Sequence, residues 1–342
     1  MKILAIGGTG FIGPFVIRDL QHAGHSVTVL HRGTTAAPAG VAEIIGDRNR
    51  LVEYREVLAR EKFDLVIDFV LSSKRQAEQL MQTLRGITGR VVVLSSMDTY
   101  RAWGVFNGLE PGGLEPLPVT EDSAVRTAPA YPPEVIKKLQ QMVSWVNAEY
   151  DKVPVERIVL GDSALPGTIL RLPMIYGPGD YVHRFHPFLK RMDDGRRFIL
   201  FADDVAALRT PRGYVENVAA GIALATSPGA MGRIYNIGEA EAFSELAWAR
   251  KIGAIVNWPG EWIVLPHDKA PPHLHWPGNT AQHLVVSTER VREELGYREP
   301  VTSDDAMRRT ITWERENPSK EVGTPFNYEA EDAALANLNA IA

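Results

Sequence analysis

Short runs of apolar, β-branched residues alternate with longer amphipathic stretches over the first half of the chain. The runs predict buried strands, and they lie at Lys2–Ile6, Ser26–Leu30, Val41–Ile45, Phe63–Val70 and Arg90–Leu94. The stretches between them, such as Phe11–His22 and Ser73–Ile87, place their apolar residues on one helical face. This succession predicts an α/β protein with a doubly wound parallel sheet, because parallel strands need crossover connections and these are almost always right-handed.

The second half of the chain has a less regular pattern. Thr168–Leu172 predicts another strand, and Ser287–Leu295 and Glu329–Leu338 predict helices. Proline, glycine and histidine gather in Tyr176–His186 and in Pro266–Gly278. Such segments are typical of loops, which either line a binding site or only connect elements.

Composition and charge narrow the classes of protein. The 342 residues are 45% hydrophobic and 23% charged, which excludes a disordered chain. The length suggests two domains, or one large domain with a lobe. No run approaches the ~20 apolar residues of a membrane-spanning helix, and the N-terminus has no leader pattern, so we expect a cytoplasmic protein without membrane contact. The net charge of −5 argues against a nucleic-acid partner, because such proteins usually carry a basic face.

The sequence contains no cysteine and nine histidines. Disulfides, thiolate nucleophiles and cysteine–zinc sites are therefore excluded. His273 and His275 lie two residues apart in the proline-rich stretch, but no acidic cluster accompanies them. We expect loop or pocket histidines here and no metal site.

A glycine-rich loop, Gly7-Gly8-Thr9-Gly10-Phe11-Ile12-Gly13, follows the first strand directly and opens the first helix. Glycines at this spacing permit a sharp turn and leave the backbone open to a pyrophosphate. The helix N-terminus then offers unpaired N–H groups to the phosphates. A strand before the loop and a helix after it is the setting that makes this motif specific, so we predict a dinucleotide cofactor.

The end of the second strand bears on which cofactor binds. A site for NAD usually places an acidic residue there to hold the ribose 2′-hydroxyl, whereas an arginine suits the 2′-phosphate of NADP. His31 stands at that position and Arg32 follows it, so we predict NADP in preference to NAD, unless Arg32 is only a solvated loop residue. Asp47, after the third strand, suits either the adenine amino group or a turn.

Several motifs together resemble the extended short-chain dehydrogenase/reductase family of NAD(P)-dependent epimerases and dehydratases. They are the glycine loop, Gly46-Asp47, Leu94–Tyr100, Arg171–Gly179, Gly213–Ala219 and Leu295–Tyr297. The resemblance extends to about residue 317. It implies a Rossmann-type NAD(P)-binding domain at 1–170, a smaller, mainly substrate-binding lobe at 171–317 with segments that return to the first domain, and a tail at 318–342. It also implies a homodimer. The expected cofactor contacts are Gly7, Gly10, Phe11, Ile12, Gly13, Arg32, Asp47, Arg48, Lys152 and Pro173.

The catalytic pattern of that family is only partly present. The family uses a Ser or Thr, and a Tyr and a Lys that lie four residues apart on one helix face. The ammonium lowers the pKa of the phenol. Ser96 and Lys152 match by position, and Asp98 aligns with a position that is often acidic in dehydratases, although a capping role is equally open. Ala148 stands where the tyrosine is expected.

Two other tyrosines are candidates for the missing phenol. Tyr150 lies only two residues before Lys152, and Tyr131 lies ten residues after Glu121 but is followed by two prolines. Pro154 indicates that a helix begins close to Lys152, and Glu134–Val146 predicts a separate amphipathic helix. The catalytic tyrosine is therefore either absent, supplied by Tyr131 or Tyr150 from a loop, or replaced by Asp98 or a histidine.

The resemblance also implies where the substrate binds. The expected contacts are Tyr100, Tyr176, His183, Arg184 and Arg212, and arginines at such places grip phosphates or carboxylates. We predict an epimerase, dehydratase or reductase that acts on a hydroxyl or keto group of a small polar substrate, with nucleotide sugars among the candidates. The alternative is a non-catalytic nucleotide- or RNA-binding member of the same fold that has lost the catalytic tyrosine.

Overall fold

The computed structural model describes residues 1–143, 145–319 and 326–339. The strands are β1 (Lys2–Ile6), β2 (Ser26–His31), β3 (Ala42–Ile45), β4 (Leu65–Asp68), β5 (Arg90–Ser96), β6 (Gly167–Leu172), β7 (Met174–Tyr176), β8 (Phe198–Ala202), β9 (Arg212–Tyr214), β10 (Ile234–Asn236) and β11 (Glu261–Leu265). The helices are α1 (Gly13–His22), α2 (Arg55–Glu61), α3 (Lys74–Leu84), α4 (Arg101–Phe106), α5 (Pro133–Met142), α6 (Lys152–Leu160), α7 (His186–Asp193), α8 (Asp203–Ala207), α9 (Val215–Leu224), α10 (Glu245–Ile255), α11 (Glu289–Leu295), α12 (Ser303–Glu316) and α13 (Tyr328–Asn339).

Seven parallel strands form the central sheet, in the order β3-β2-β1-β4-β5-β6-β10. At the carboxyl end of β1, Ile6 pairs with Leu30 of β2 and with Asp68 of β4. The strand order reverses between β1 and β4, and such a switch point opens a crevice in which ligands of this fold class bind. The prediction of a doubly wound, Rossmann-type parallel sheet is confirmed.

Both faces of the sheet are buried, which explains the near-continuous apolar runs of its strands. Successive residues of β1 point to opposite faces. Ile3 and Ala5 join a cluster that includes residues of α1 and α9, whereas Leu4 and Ile6 join a cluster with α3 and α6. Helices therefore cover the sheet on both sides, and the carboxyl edge between the two layers is left for a ligand.

The second half of the chain adds smaller pieces of structure. β8 pairs with β11 and β7 pairs with β9, both in parallel, while β10 returns to the central sheet beside β6. The helices predicted at residues 287–295 and 329–338 are present as α11 and α13. The predicted helix at Glu134–Val146 is α5, which ends at Met142. Within the described residues, no helix is long and apolar enough to cross a membrane.

Candidate cofactor and substrate site

The glycine loop combines close packing with one open position. Gly7 has φ +77°, and a Cβ there would lie 2.6 Å from Val70 Cγ1. A Cβ on Gly13 would lie 2.1 Å from the carbonyl oxygen of Gly8, so the loop and the start of α1 touch without side chains between them. At Gly10, which lines a cavity, a Cβ would have nothing within 4 Å. The backbone at Gly10 is thus open to a ligand, as a pyrophosphate requires.

That cavity, of about 440 Å³, lies beside the ends of β1 and β2. Five of the expected cofactor contacts line it: Gly7, Gly10, Arg32, Asp47 and Arg48. We call it the adenosine cavity, since the loop that would hold a pyrophosphate forms one wall.

Arg48 has unused donors at this cavity. Its Nη2 donates to Asp68 Oδ2 at 2.9 Å and to the carbonyl oxygen of Gln76 at 3.0 Å. Its Nε and Nη1 are buried and have no hydrogen-bond partner among the described residues. A buried donor without a partner costs free energy, and a phosphate or ribose oxygen in the cavity would satisfy it. The site therefore fits a dinucleotide.

The end of β2 carries no acid of its own. His31 Nε2 lies 2.8 Å from Glu43 Oε2 on the adjacent strand β3. Asp47 Oδ1 accepts the backbone N–H of Asn49 at 2.9 Å and so caps a short 3₁₀ helix, Arg48–Tyr54. The Asp47 carboxylate therefore caps this helix and also lines the cavity.

A second cavity, of about 260 Å³, lies at the carboxyl ends of β5 and β6. The expected catalytic residues all line it: Ser96, Asp98, Tyr131, Tyr150 and Lys152. Phe11, Ile12 and Pro173, expected at the cofactor, line it as well. Trp145 and Val146 line both this cavity and the adenosine cavity, so the two adjoin. We call the second one the catalytic cavity.

Asp98 is the centre of the polar cluster in the catalytic cavity. Its Oδ2 accepts the hydroxyl of Tyr150 at 2.7 Å and that of Tyr131 at 3.5 Å. Its Oδ1 is buried without a hydrogen-bond partner among the described residues. Burial raises the pKa of Asp98, and the nearby Arg126 opposes the shift without cancelling it. Burial, and then the Asp98 charge, raise the pKa of both phenols well above the ordinary value.

Lys152 begins α6, and Asp151 caps that helix by accepting the N–H of Val153 at 3.1 Å. The start that Pro154 predicted is confirmed. The buried Nζ of Lys152 donates to the carbonyl oxygens of Leu71 and, at 2.9 Å, of Leu94. Burial lowers the pKa of Lys152 to about 8.

Arg126 is a residue that the sequence analysis missed. Its buried guanidinium donates from Nε to the carbonyl oxygen of Asp98 and from Nη2 to Asp151 Oδ1, both at 2.7 Å. Its Nη2 also lies 3.9 Å from Asp98 Oδ1. One side chain thus joins the acid of the cavity to the start of the helix that carries Lys152. No local pattern around Arg126 signals this role, because its partners lie about 25 residues away in either direction.

Of the residues expected at the substrate, only Arg184 lines the catalytic cavity. Its Nη1 donates to Asp180 Oδ1 at 2.6 Å and to the carbonyl oxygen of Ile175 at 2.7 Å. The guanidinium is therefore neutralised by an acid of its own loop before any substrate arrives.

The structure places the other four expected substrate contacts outside both cavities. Tyr100 is buried under Arg171 and donates to Asn236 Oδ1 at 2.6 Å, and Tyr176 is buried and donates to Glu239 Oε1 at 2.7 Å. His183 pairs with Glu314 at 2.6 Å, and Arg212 pairs with Glu245 at 2.7 Å. Each of these motif residues has a polar partner within the protein, and its expected contact with the substrate stays a prediction.

Among the residues that the structure describes, no group of three or more histidines and acids is arranged to hold a metal ion. His267 and His275 stack at 4.0 Å between ring centroids, and His275 Nε2 contacts the carbonyl oxygens of His267 and Ala270, both at 3.0 Å. Ring stacking and contacts with backbone carbonyl oxygens therefore explain why His267 and His275 lie together.

Comparison with known proteins agrees with this geometry. The model of the NAD dependent epimerase/dehydratase family matches residues 3–238. The chain is 25% identical over 325 residues to a UDP-glucose 4-epimerase of Corynebacterium glutamicum, covering 87% of this chain and 90% of that protein. The chain belongs to the NAD dependent epimerase/dehydratase family.

Two solved structures show the same fold. A short-chain dehydrogenase/reductase superfamily protein from Agrobacterium tumefaciens with bound NAD has a TM-score of 0.65 and 18% identity, covering 94% of this chain and 99% of that chain. A UDP-glucose 4-epimerase from Thermotoga maritima with UDP-glucose has a TM-score of 0.63 and 17% identity, covering 92% and 99%. The predicted family resemblance is confirmed at the level of family and fold.

Proposed function

We propose that the protein is an NAD(P)-dependent epimerase, dehydratase or reductase that acts on a hydroxyl or keto group of a small molecule. The observation that carries this proposal is the hydrogen bond of 2.7 Å from Tyr150 Oη to Asp98 Oδ2, in a cavity that Ser96 and Lys152 also line. A bound nicotinamide supplies hydride-transfer chemistry. The protein has to hold the substrate oxygen and exchange a proton with it.

Tyr150 is the phenol of the proposed mechanism. Ala148, where the family pattern has its tyrosine, is exposed and lines the adenosine cavity instead of the catalytic one. Tyr131 is a weaker candidate, because its hydroxyl lies 3.5 Å from Asp98 whereas that of Tyr150 lies at 2.7 Å. Tyr150 lies before α6, and Lys152 is the first residue of that helix. The spacing rule for two residues on one helix face therefore does not apply to this pair.

A proton relay through Tyr150 and Asp98 fits the charges of the site. A phenolate beside a carboxylate would bring two negative charges together, and the raised pKa of Tyr150 reflects that cost. In the reducing direction the proposed relay starts with a proton on Asp98, a form that burial of this carboxyl favours by raising its pKa and that the charges of Arg126 and Lys152 oppose. Tyr150 gives its proton to the substrate oxygen while Asp98 gives its own to Tyr150 Oη. The negative charge ends on Asp98, 3.9 Å from Arg126 Nη2.

Ser96 and Lys152 complete the proposed arrangement. Ser96 Oγ accepts the N–H of Asp98 at 3.1 Å, which leaves its hydroxyl proton to be donated to the substrate oxygen. Lys152, by its resemblance to the family lysine, holds the nicotinamide ribose. Its charge also favours the carboxylate form of Asp98.

We propose NADP as the preferred cofactor. Arg32 lines the adenosine cavity, and the neighbouring His31 is turned to Glu43. An arginine at the end of the second strand favours a 2′-phosphate, and the absence of an acid at His31 removes the usual ribose partner of NAD. The Agrobacterium tumefaciens structure holds NAD, so this preference is a property proposed for this chain alone.

We also propose a role for each part of the chain. Residues 1–170 would bind the cofactor, 171–317 would mainly serve the substrate, and 318–342 would form a tail. Support comes from the cavity walls, since Ser96 and Lys152 come from the first part and Pro173 and Arg184 from the second. We further propose a cytoplasmic homodimer. Light scattering at increasing protein concentration tests the dimer.

Cofactor binding and turnover test the proposed function together. We expect NADPH to raise the melting temperature of the purified protein. We also expect either the NADPH-loaded protein to reduce the bicyclic ketone 2-tetralone or the NADP⁺-loaded protein to convert UDP-glucose, whose hydroxyl must first be oxidised, and NMR of the products follows both reactions. A protein that shows no stabilisation by NADPH or NADH contradicts the proposal. A protein that binds cofactor and converts neither compound would instead favour the non-catalytic alternative.

A further inference from the structure

The walls of the catalytic cavity are mostly apolar and aromatic. Seven aromatic side chains contribute, among them Phe11, Trp103, Tyr131 and Tyr181. Their rings pack against one another, with Phe11 edge-on to Tyr181 at 6.1 Å and Trp103 edge-on to Tyr131 at 6.2 Å between centroids. Apolar walls with a few placed polar groups are typical of sites for small organic ligands.

The few charges at this cavity are already engaged. Among its described lining residues only Asp98, Lys152 and Arg184 carry formal charge. Lys152 donates to two backbone carbonyls, and Arg184 is paired with Asp180 at 2.6 Å. A diphosphate brought into this site would meet the paired Arg184, the Lys152 ammonium that two backbone carbonyls already hold, and the Asp98 carboxyl. Burying a charge without a free partner is costly.

The two other basic residues expected at the substrate, His183 and Arg212, also have partners inside the protein. His183 is paired with Glu314 at 2.6 Å, and the Arg212 guanidinium lies over Trp248 and is paired with Glu245 at 2.7 Å. Neither lines the catalytic cavity. Acidic partners inside the protein therefore already hold both of these basic side chains.

Two buried polar atoms of the cavity walls have no partner among the described residues: Trp103 Nε1, a donor, and Asp98 Oδ1, an acceptor. Together with the hydroxyls of Ser96 and Tyr150, these two atoms suit a neutral hydroxyl or carbonyl group better than a phosphate, whose charge favours cationic donors. The volume of about 260 Å³ is also below the range of about 300–1,000 Å³ common for ligand pockets, and part of it must take the nicotinamide.

We propose that the substrate is a compact, uncharged ketone or secondary alcohol with a cyclic hydrocarbon or aryl face, and not a nucleotide diphosphate sugar. This rests on the proposed function. The ring of the substrate packs against Trp103, Tyr131 and Tyr181, and its reacting oxygen faces Ser96 and Tyr150. On reduction the ketone gains a hydride at its carbonyl carbon from NADPH, which becomes NADP⁺, and a proton at its oxygen through Tyr150.

The test uses the NADPH-loaded protein, so that nucleotides cannot occupy the adenosine cavity. We measure melting-temperature shifts of this protein with 2-tetralone and with UDP-glucose. We then measure kcat/KM for the reduction of 2-tetralone by the NADPH-loaded protein and kcat/KM for UDP-glucose with the NADP⁺-loaded protein, because UDP-glucose has no keto group that NADPH could reduce. The expected result is stabilisation by 2-tetralone and a kcat/KM at least about 100-fold above that for UDP-glucose, of the order that a pocket can discriminate. Equal or better use of UDP-glucose overturns the inference, and so does an NADPH-binding protein that neither binds nor reduces 2-tetralone. Failure to bind NADPH would overturn the proposed function itself.

A variant that inserts a charge into the cavity wall gives a second test of the proposed substrate class. Tyr181→Arg places a cation at an exposed position of the cavity wall, whereas Val182→Arg places one on the adjacent, similarly exposed residue, which does not line the cavity. We expect Tyr181→Arg to lower kcat/KM for 2-tetralone and to create stabilisation by UDP, with neither effect in the Val182→Arg control. Stabilisation of the wild-type NADPH-loaded protein by UDP, to the level of Tyr181→Arg, contradicts the inference.

Discussion

The hydroxyl of Tyr150 donates a 2.7 Å hydrogen bond to Oδ2 of Asp98, although 52 residues separate them in the chain. Asp98 lies two residues after the end of β5 and Tyr150 two residues before the start of α6, and the fold brings this acid and this phenol to one cavity. The pKa of each is raised, chiefly by burial. In the proposed relay, Asp98 replaces the proton that Tyr150 gives to the substrate oxygen, so no free phenolate forms.

The lowered pKa of Lys152 predicts a pH dependence of cofactor binding. Because burial lowers this pKa to about 8, the ammonium loses its charge as the pH rises through that value, and the contact to the ribose weakens. We expect the Kd for NADPH, measured by fluorescence titration, to rise above pH 8. In Lys152→Arg, whose charge persists, the rise should vanish. An identical slope in both proteins would assign the titration to another group.

Arg32 should set the choice between cofactors. We expect Arg32→Ala to weaken NADPH by about 1.5–3 kcal/mol, the range for hydrogen bonds to charged groups, and to leave NADH almost unchanged. Arg50→Ala is a matched control, because Arg50 is exposed, pairs with Glu53 and does not line the adenosine cavity. Calorimetric titration with both cofactors measures the effect. Equal weakening of NADH would show that Arg32 does not contact a 2′-phosphate.

Two glycines of the loop should respond differently to alanine. At Gly10 the new methyl group meets nothing within 4 Å, so we expect Gly10→Ala to unfold at the same denaturant concentration as wild type but to lose most NADPH affinity. At Gly13 the methyl group would lie 2.1 Å from the Gly8 carbonyl oxygen, and Gly13→Ala should lose roughly 1–3 kcal/mol of stability. Urea unfolding without cofactor distinguishes them. Normal NADPH affinity in Gly10→Ala would place the pyrophosphate elsewhere.

Restoring the family tyrosine at position 148 should not increase turnover. Ala148 is exposed and opens to the adenosine cavity, so the side chain in Ala148→Tyr would compete with the cofactor. We expect a higher Kd for NADPH and no gain in kcat. A gain of tenfold or more in kcat would contradict the assignment of the phenol to Tyr150.

The cofactor half of the site could be predicted from the sequence because its signals are local. The glycine loop, the end of β2 and the start of α6 at Lys152 each depend on residues a few positions apart. Gly7 and Gly10 accordingly line the adenosine cavity, as expected.

The catalytic half of the site could not be predicted from the sequence in the same way, because its contacts join residues that lie far apart in the chain. Nothing near Arg126 indicates that it joins Asp98 to Asp151, and the spacing rule for one helix face excluded a tyrosine that lies just before α6. Tyr100 and Tyr176 lie in family motifs, yet their hydroxyls are satisfied by Asn236 and Glu239 inside the fold. A motif marks a position, and only the packing shows whether that position faces the ligand.

The central claim is that Tyr150 exchanges the proton with the substrate oxygen, and a comparison of two phenylalanine variants tests it most directly. The measurement is kcat in Tyr150→Phe and Tyr131→Phe, either for NADPH-dependent reduction of 2-tetralone or for conversion of UDP-glucose by the NADP⁺-loaded protein, whichever the wild-type protein catalyses. The account predicts a loss of about 10²–10⁴-fold in Tyr150→Phe, the range for a positioned acid–base group, with unchanged Kd for NADPH and less than about tenfold loss in Tyr131→Phe. A Tyr150→Phe protein that retains its kcat while Tyr131→Phe loses it would contradict the account.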